Sequence, residues 1–199
     1  MDCPRAEAYV LDQLHQLPAA LYYHGRHHTI DVVAAARTLA AAEGLTDPQQ
    51  LALLGTAAHY HDAGFLTAYQ GHEAAGCQLA QQVLPGFGFS AAHIELICRL
   101  IMATQMPQTP GTEPLARLLC DADLDYLGRP DYWPVSDTLR RELAARGQHY
   151  DERAWLELQE QFLSQHRYWT AAATRLREPQ KQARLAEVRA RLAALTTAG

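Results

Sequence analysis

Several large classes of protein are excluded by what this sequence does not contain. No stretch approaches 18 uninterrupted apolar residues, so no segment reads as a membrane-spanning helix. Met1-Asp2-Cys3-Pro4-Arg5-Ala6-Glu7 is charged and leads into no apolar run with a small-residue cleavage site, so no secretory leader is expected. Cysteine is scarce. The four residues Cys3, Cys77, Cys98 and Cys120 form no Cys-x-x-Cys, which disfavours a zinc ribbon or a redox pair; a reducing cytoplasm is expected, with Cys77, Cys98 and Cys120 as buried thiols. Basic charge is not in excess: 17 Lys+Arg stand against 22 Asp+Glu, a formal charge of −5. No field over the whole surface would gather nucleic acid or an anionic membrane, and any phosphate binding must be local. Internal repeats, low-complexity tracts and alternating β-branched runs are also missing, which removes solenoids and sheets.

What is present is helical. The chain has 199 residues, 48% of them apolar, enough for one compact domain spanning 1–199. Ala, Leu, Gln, Glu and Arg dominate the segments between short Pro/Gly-rich loops. The clearest start is Asp47-Pro48-Gln49-Gln50: Asp47 can cap, Pro48 suits the first helical position, and Gln50 can reach back as in a capping box. That helix is expected to run to His61 and break near Gly64. Others are expected over 5–17, 29–43, 72–84, 90–104 capped by Ser90, 113–127, 136–146 capped by Ser136, 151–167 capped by Asp151, and 179–195 with Pro179 near its start. The predicted fold class is all-α, with eight or nine helices.

Ten histidines are many for this length, and their positions matter more than their number. Leu51, Leu54, Ala58 and His61 share one helical face, which places His61 toward the core with Asp62 directly after it. Val32, Ala36, Leu39 and Ala40 form the inner stripe of the preceding helix, and His28 stands one turn earlier on the same side. A lone inward histidine is ordinarily a hydrogen-bonded core residue. A buried Asp beside a buried His is costly unless each is paired or holds a cation. Asp121, Asp123 and Asp125 alternate within an apolar segment, where a solvated face would space them by three or four, so at least one is expected to point inward. Two histidines and two carboxylates suit Mn²⁺, Fe²⁺, Mg²⁺ or Zn²⁺ with positions left open for water.

The ordered set His28, His61-Asp62, Asp123 resembles the HD superfamily of metal-dependent phosphohydrolases. The segment Tyr23-His24-Gly25-Arg26-His27-His28 is similar to the Tyr-His-Asn-x-x-His segment of cyclic-nucleotide phosphodiesterases, with Gly25 where that group has Asn. Ala57-Ala58-His59-Tyr60-His61-Asp62-Ala63-Gly64 matches the family's apolar-His-Asp-x-Gly context, and Ala122-Asp123-Leu124 its Ala-Asp-x-Leu, which selects Asp123 over its neighbours. The motif core spans 23–126, and 127–199 is expected to supply helices covering the site. The resemblance implies that His28, His61, Asp62 and Asp123 hold one divalent cation, with a second possible, and that an activated water attacks phosphorus. It implies His24 as proton donor to the leaving oxygen, so His24 and Asp62 are the catalytic candidates. Arg26 is the nearest cation for a phosphoryl oxygen, and His72 is a candidate substrate contact or further ligand. The substrate is expected to be a small phosphorylated molecule, a nucleotide above all. The Glu-Asp pair of alarmone hydrolases is replaced here by Phe65-Leu66-Thr67, and the Gly-Tyr-Pro signature of the cyclic-di-GMP branch is absent.

Rival readings remain at this level. With His72 and His93 completing six ligands, the chain would be a di-iron oxygenase of the same fold; a non-catalytic metal- and nucleotide-binding module is a third reading. His93 also reads as an exposed first-turn histidine, and His27 and His59 as neighbours of the ligands or surface residues. Arg167, Arg175, Arg177 and Lys181, with His166, form either a phosphate-binding rim or a solvated face. Thr104 and Gln105 are candidates to line the pocket. Leu185, Val188, Leu192 and Leu195 give the last helix an apolar face, to be covered within the chain or by a second copy in a homodimer.

Overall fold

A computed structural model describes residues 1–197, and among them are nine α-helices and no strand. The helices are α1 (Cys3–Gln13), α2 (Arg26–Ala42), α3 (Pro48–Tyr60), α4 (His72–Val83), α5 (Ala91–Ala103), α6 (Pro114–Asp123), α7 (Tyr132–Ala145), α8 (Glu152–Gln165) and α9 (Ala171–Thr197). None is long and apolar enough to cross a membrane. The chain divides into two compact units, Met1–Asp123 and the segment beginning at Leu124.

In the first unit α3 is the hub, packing on α1, α2, α5 and α6. Its start is as the sequence predicts: Asp47 accepts from the backbone of Gln49 at 2.8 Å and of Gln50 at 3.3 Å, with Pro48 as first helical residue. Ala57 and Ala58 are fully buried, and their small side chains let neighbouring helices approach closely. Leu51 departs from the expected inner face and is exposed, because the face turned inward is that of Leu54, Ala57, Ala58 and His61. A capping box does form, at α5: Ser90 accepts from the His93 backbone at 3.2 Å, and His93 Nδ1 accepts from the Ser90 backbone at 3.4 Å. This is the role in which His93 is found, with its Nε2 at 2.8 Å from Gln49 Nε2.

The second unit departs further from the expected boundaries. Its first helix, α7, starts at Tyr132, not at Ser136; the Ser136 hydroxyl donates instead to Gln159 Oε1 at 3.0 Å, in a buried cluster where Tyr132 also donates at 2.6 Å. Pro134 is accommodated because the first-turn amides of a helix have no partner within it. Helix α9 begins eight residues before Pro179. Thr170 caps it, accepting from the Ala173 amide on its hydroxyl at 3.1 Å, and Pro179 lies inside the helix. An internal proline costs about 3 kcal/mol; burial of Ala172, Ala173, Leu185 and Val188 against the same unit offsets it. Leu192 and Leu195, expected on the same face, are only half-buried. Asp151 caps α8 as expected, 2.8 Å from the Ala154 amide. Buried charges here find partners: Arg177 Nε donates to Asp125 Oδ1 at 2.6 Å, and Lys181, fully buried, donates to the His166 carbonyl at 2.8 Å and lies 2.8 Å from Glu178. Arg167 bonds the carbonyls of Ser164 and His166 at 2.8 Å. Of the basic residues considered for a phosphate rim, Arg167, Arg177 and Lys181 are thus engaged within their own unit.

Candidate metal centre

All four residues of the ordered motif lie in the first unit, and they converge. His28 is the third residue of α2, so it projects from the helix's first turn. His61 stands where α3 ends, and Asp62 carries the chain into a 3-10 turn at Ala63–Leu66. Asp123 is the last residue of α6. Three helix termini thus deliver one side chain each, and the bend after α3 delivers the fourth.

His28 Nε2 lies 3.1 Å from Asp123 Oδ1 and 3.5 Å from Asp62 Oδ2; His61 Nε2 lies 3.3 Å from Asp62 Oδ2 and 3.6 Å from Asp123 Oδ1. Ligands held about 2.1 Å from one cation stand about 3.0 Å apart at right angles and about 3.4 Å apart in a tetrahedron, so these separations match a shared ion. His28, His61 and Asp123 alone already form a set of possible ligand atoms all within 4.8 Å of one another. His61 Nε2 and Asp62 Oδ2 are buried without a hydrogen-bond partner. Orphaned buried polar atoms are rare and costly, and a cation between them would satisfy both. The donor set, two neutral imidazoles and two carboxylates, carries a charge of about −2, which a divalent ion neutralises.

The protonation pattern carries the same message. Burial works against a charge on His61, yet the adjacent Asp62 and Asp123 raise its pKa well above the ordinary imidazole range. Burial likewise opposes ionised Asp62, but His61 and His72 hold its pKa well below the carboxylate range. For Asp123, burial is outweighed by the hydrogen bond of His28 and the nearby His61 imidazole, and its pKa is also depressed. Two buried carboxylates thus stay ionised and draw positive charge into the cluster; a proton on His61 is one way to supply it and a cation is another.

Each carboxylate gives one oxygen to the cluster and the other to an outer partner, an arrangement that fixes ligand orientation. Asp62 turns Oδ1 to His72 Nε2 at 3.4 Å, and Asp123 turns Oδ2 to Gln108 Nε2, which donates at 3.1 Å. Gln108 also donates to the Cys120 carbonyl at 3.2 Å and is nearly buried. Nothing in the sequence singles it out; Thr104 and Gln105 were the nearer candidates, yet Thr104 donates to the Ile101 carbonyl and Gln105 is exposed. The imidazoles are oriented too. His61 Nδ1 lies 2.8 Å from the Ala58 carbonyl, which can only accept, so Nδ1 bears the proton and Nε2 faces the cluster. His72 Nδ1 lies 3.3 Å from the Tyr69 carbonyl in the same way.

Gly64 explains the glycine after the doublet. A Cβ there would collide with the His72 carbonyl oxygen and lie 2.6 Å from the Gly76 amide, so only glycine lets the turn meet the start of α4 and bring His72 to Asp62. At Gly25, a Cβ would lie 2.9 Å from the His27 ring, which occupies the space an asparagine side chain would need.

The other candidates are placed as follows. The His24 ring stacks on Phe65 at 4.5 Å, with its centroid 6.0 Å from His28 and 6.1 Å from His72, so it stands at the edge of the centre. Arg26, expected to face phosphate, donates its Nε to the Leu11 carbonyl at 3.3 Å on α1. His59 is buried on the α1 side of α3, with Nδ1 at 2.8 Å from the Gly55 carbonyl and 3.9 Å from Glu7, and burial lowers its pKa. The capping role of His93 leaves the six-ligand di-iron set without that member. All three aspartates of the 121–125 segment are turned inward: Asp121 is fully buried, and Asp125 pairs with Arg177 in the second unit.

No protein-family model and no curated protein matches the chain. Among solved structures, the crystal structure of a predicted HD superfamily hydrolase from an uncultured Thermotogales bacterium is similar, with a TM-score of 0.60 and 20% identity over 94% of this chain and 92% of that one. The chain therefore has the HD-superfamily fold.

Proposed function

We propose that the chain is a metal-dependent phosphohydrolase that cleaves a phosphoester of a nucleotide or related small phosphorylated metabolite. The observation that carries this reading is the set of four ligand atoms at 3.1–3.6 Å from their neighbours, two of them buried without any partner in the protein. The likeness of fold to a predicted hydrolase agrees with it. His28, His61, Asp62 and Asp123 would hold the ion. Mixed nitrogen and oxygen donors without a thiolate suit Mn²⁺, Fe²⁺, Mg²⁺ or Zn²⁺. When bound, a divalent cation acidifies a water molecule and offsets the charge of a phosphoryl oxygen.

The remaining steps fall to the side chains. Asp62 Oδ1 accepts the proton lost by the attacking water, with His72 Nε2 beside it to share that proton. His24, held against Phe65, donates a proton to the leaving alkoxide. A positioned general acid contributes typically 10²–10⁴-fold. His72, half-buried, is the group left to meet a non-bridging oxygen; Arg26 is engaged by the Leu11 carbonyl of α1.

The test begins with metal analysis of the purified protein, followed by a phosphate-release screen over mono-, di-, tri- and cyclic nucleotides. His61→Ala is expected to lose the ion and turnover together, whereas His24→Ala should keep the ion and lose on the order of 10²–10⁴ in rate. Full activity in either variant, or no divalent metal at any concentration, overturns the reading.

A further inference from the structure

We propose that Cys77 and Cys98 form a reversible dithiol–disulfide pair, oxidised by a low-molecular-weight disulfide that enters the cavity beside α4 and α5. The absence of Cys-x-x-Cys argued against a redox pair from the sequence, but the fold makes one from residues 21 positions apart. Cys77 lies on α4 and Cys98 on α5, and these two helices pack against each other. Cys77 Sγ lies 3.5 Å from the Cys98 carbonyl and Cys98 Sγ lies 3.7 Å from the Cys77 carbonyl, so each side chain reaches across to the other's backbone.

Both residues line a cavity of about 900 Å³ in the first unit, with Glu95, Arg99 and Glu113 among its polar lining. None of the four cluster residues lines it. The pair is unequal. Cys77 is buried and Cys98 half-exposed, so Cys98 is the more open of the two to a reagent. The neighbouring Cys77 thiol lowers the Cys98 pKa below the ordinary thiol value, while the Cys98 thiol and burial raise that of Cys77. Cys120 is a built-in contrast: buried, with its Sγ donating to the Ala103 carbonyl at 3.1 Å and its pKa raised by burial.

The chemistry balances without further reagents. Cys98 thiolate attacks one sulfur of the small disulfide, forming a mixed disulfide and expelling the first thiolate. Cys77, giving its proton to solvent, then attacks Cys98 Sγ and expels the second thiolate. The two protein sulfurs are oxidised, and one small disulfide is reduced to two thiols.

The experiment incubates the full reduced chain with oxidised glutathione, then blocks remaining thiols under denaturing conditions and maps them by mass spectrometry. The expected result is joint loss of two thiols, a mass lower by about 2 Da and a Cys77–Cys98 cross-linked peptide, with Cys98 consumed at least roughly ten-fold faster than Cys120. Cys77→Ser should stop at a glutathione adduct on Cys98, and Cys98→Ser should leave Cys77 reduced. The wild-type measurement stands even where a variant fails to fold. The proposal is overturned by a wild-type chain whose Cys77 and Cys98 stay free while Cys3 is oxidised, or by a stable Cys98 adduct that never resolves.

Discussion

Both units bury charged side chains, and they treat them differently. In the second, Asp125 meets Arg177 and Lys181 meets Glu178 and a carbonyl, so the charges are balanced by side chains of the same fold. The second unit too has buried nitrogens without a partner, His166 Nε2 and Arg184 Nε, but Arg184 is paired through Nη1 to Glu187 at 2.6 Å and His166 is held uncharged by burial. In the first, two carboxylates face two imidazoles, and both His61 Nε2 and Asp62 Oδ2 are left unsatisfied. A buried cluster that pairs itself supports a fold, whereas one whose carboxylates outnumber its fixed positive charges could hold a cation. The two units can therefore be told apart by perturbing one group in each.

The largest difference is expected from Asp123→Asn. It removes one of the two carboxylates that hold the cluster ionised, so Mn²⁺ affinity measured by calorimetry should fall by about 10³-fold or more, roughly 4 kcal/mol. The metal-free protein should lose only about 1 kcal/mol in urea unfolding, because the asparagine carbonyl can still accept from His28. Wild-type protein should melt at a higher temperature with Mn²⁺, by linkage, and the variant should not. Asp125→Ala is the mirror test. It strands Arg177, so unfolding free energy should drop by about 3 kcal/mol while Mn²⁺ affinity is unchanged. Equal stability losses in the two metal-free variants would erase the contrast.

The cluster is only partly legible from helical periodicity: His28 and His61 extend apolar stripes, whereas the spacing of Asp121, Asp123 and Asp125 calls only for an inward carboxylate, and the family resemblance is what selects Asp123. Gly64 is legible as a motif, but its reason, the approach of the His72 carbonyl, exists only in three dimensions. Gln108 is not legible. It sits in the segment between α5 and α6, where no periodicity says which way a side chain points. The Cys77–Cys98 pair escapes for a related reason, since it depends on the register of two packed helices rather than on spacing along the chain. Cap chemistry misleads at Ser136, whose hydroxyl is taken by Gln159, and at Pro179, where a proline usually near a helix start is tolerated inside one. Local signals locate elements; partner choice between elements decides the rest.

Gln108 sharpens the contrast at smaller scale, because it is the one outer partner that makes the Asp123 carboxylate asymmetric. Its amide occupies Oδ2 and leaves Oδ1 for the cluster. Gln108→Ala should weaken Mn²⁺ binding by about 10–100-fold, the usual cost of losing such a partner. Gln108→Glu should weaken it further where the new carboxylate is ionised, since repulsion would turn Asp123. Unchanged affinity in both variants would show that α6 alone orients the ligand.

The last effect concerns pH and belongs to the second unit. Burial and the neighbouring Lys181 ammonium lower the His166 pKa to about 4. In the unfolded chain the group titrates at about 6.5. Between those values the unfolded state binds a proton that the native state refuses, so stability falls as pH drops from about 6.5 toward about 4 and this contribution is constant below. The shift corresponds to about 2–3 kcal/mol across that window. His166→Gln keeps a polar side chain there without the titration, so the difference between wild-type and variant unfolding free energies, measured with EDTA from pH 7 to 4.5, should change steadily in the variant's favour as pH falls. A difference that stays flat would mean that Lys181 moves away from a charged His166 and that this pairing is less rigid than the Asp125–Arg177 bond in the same unit.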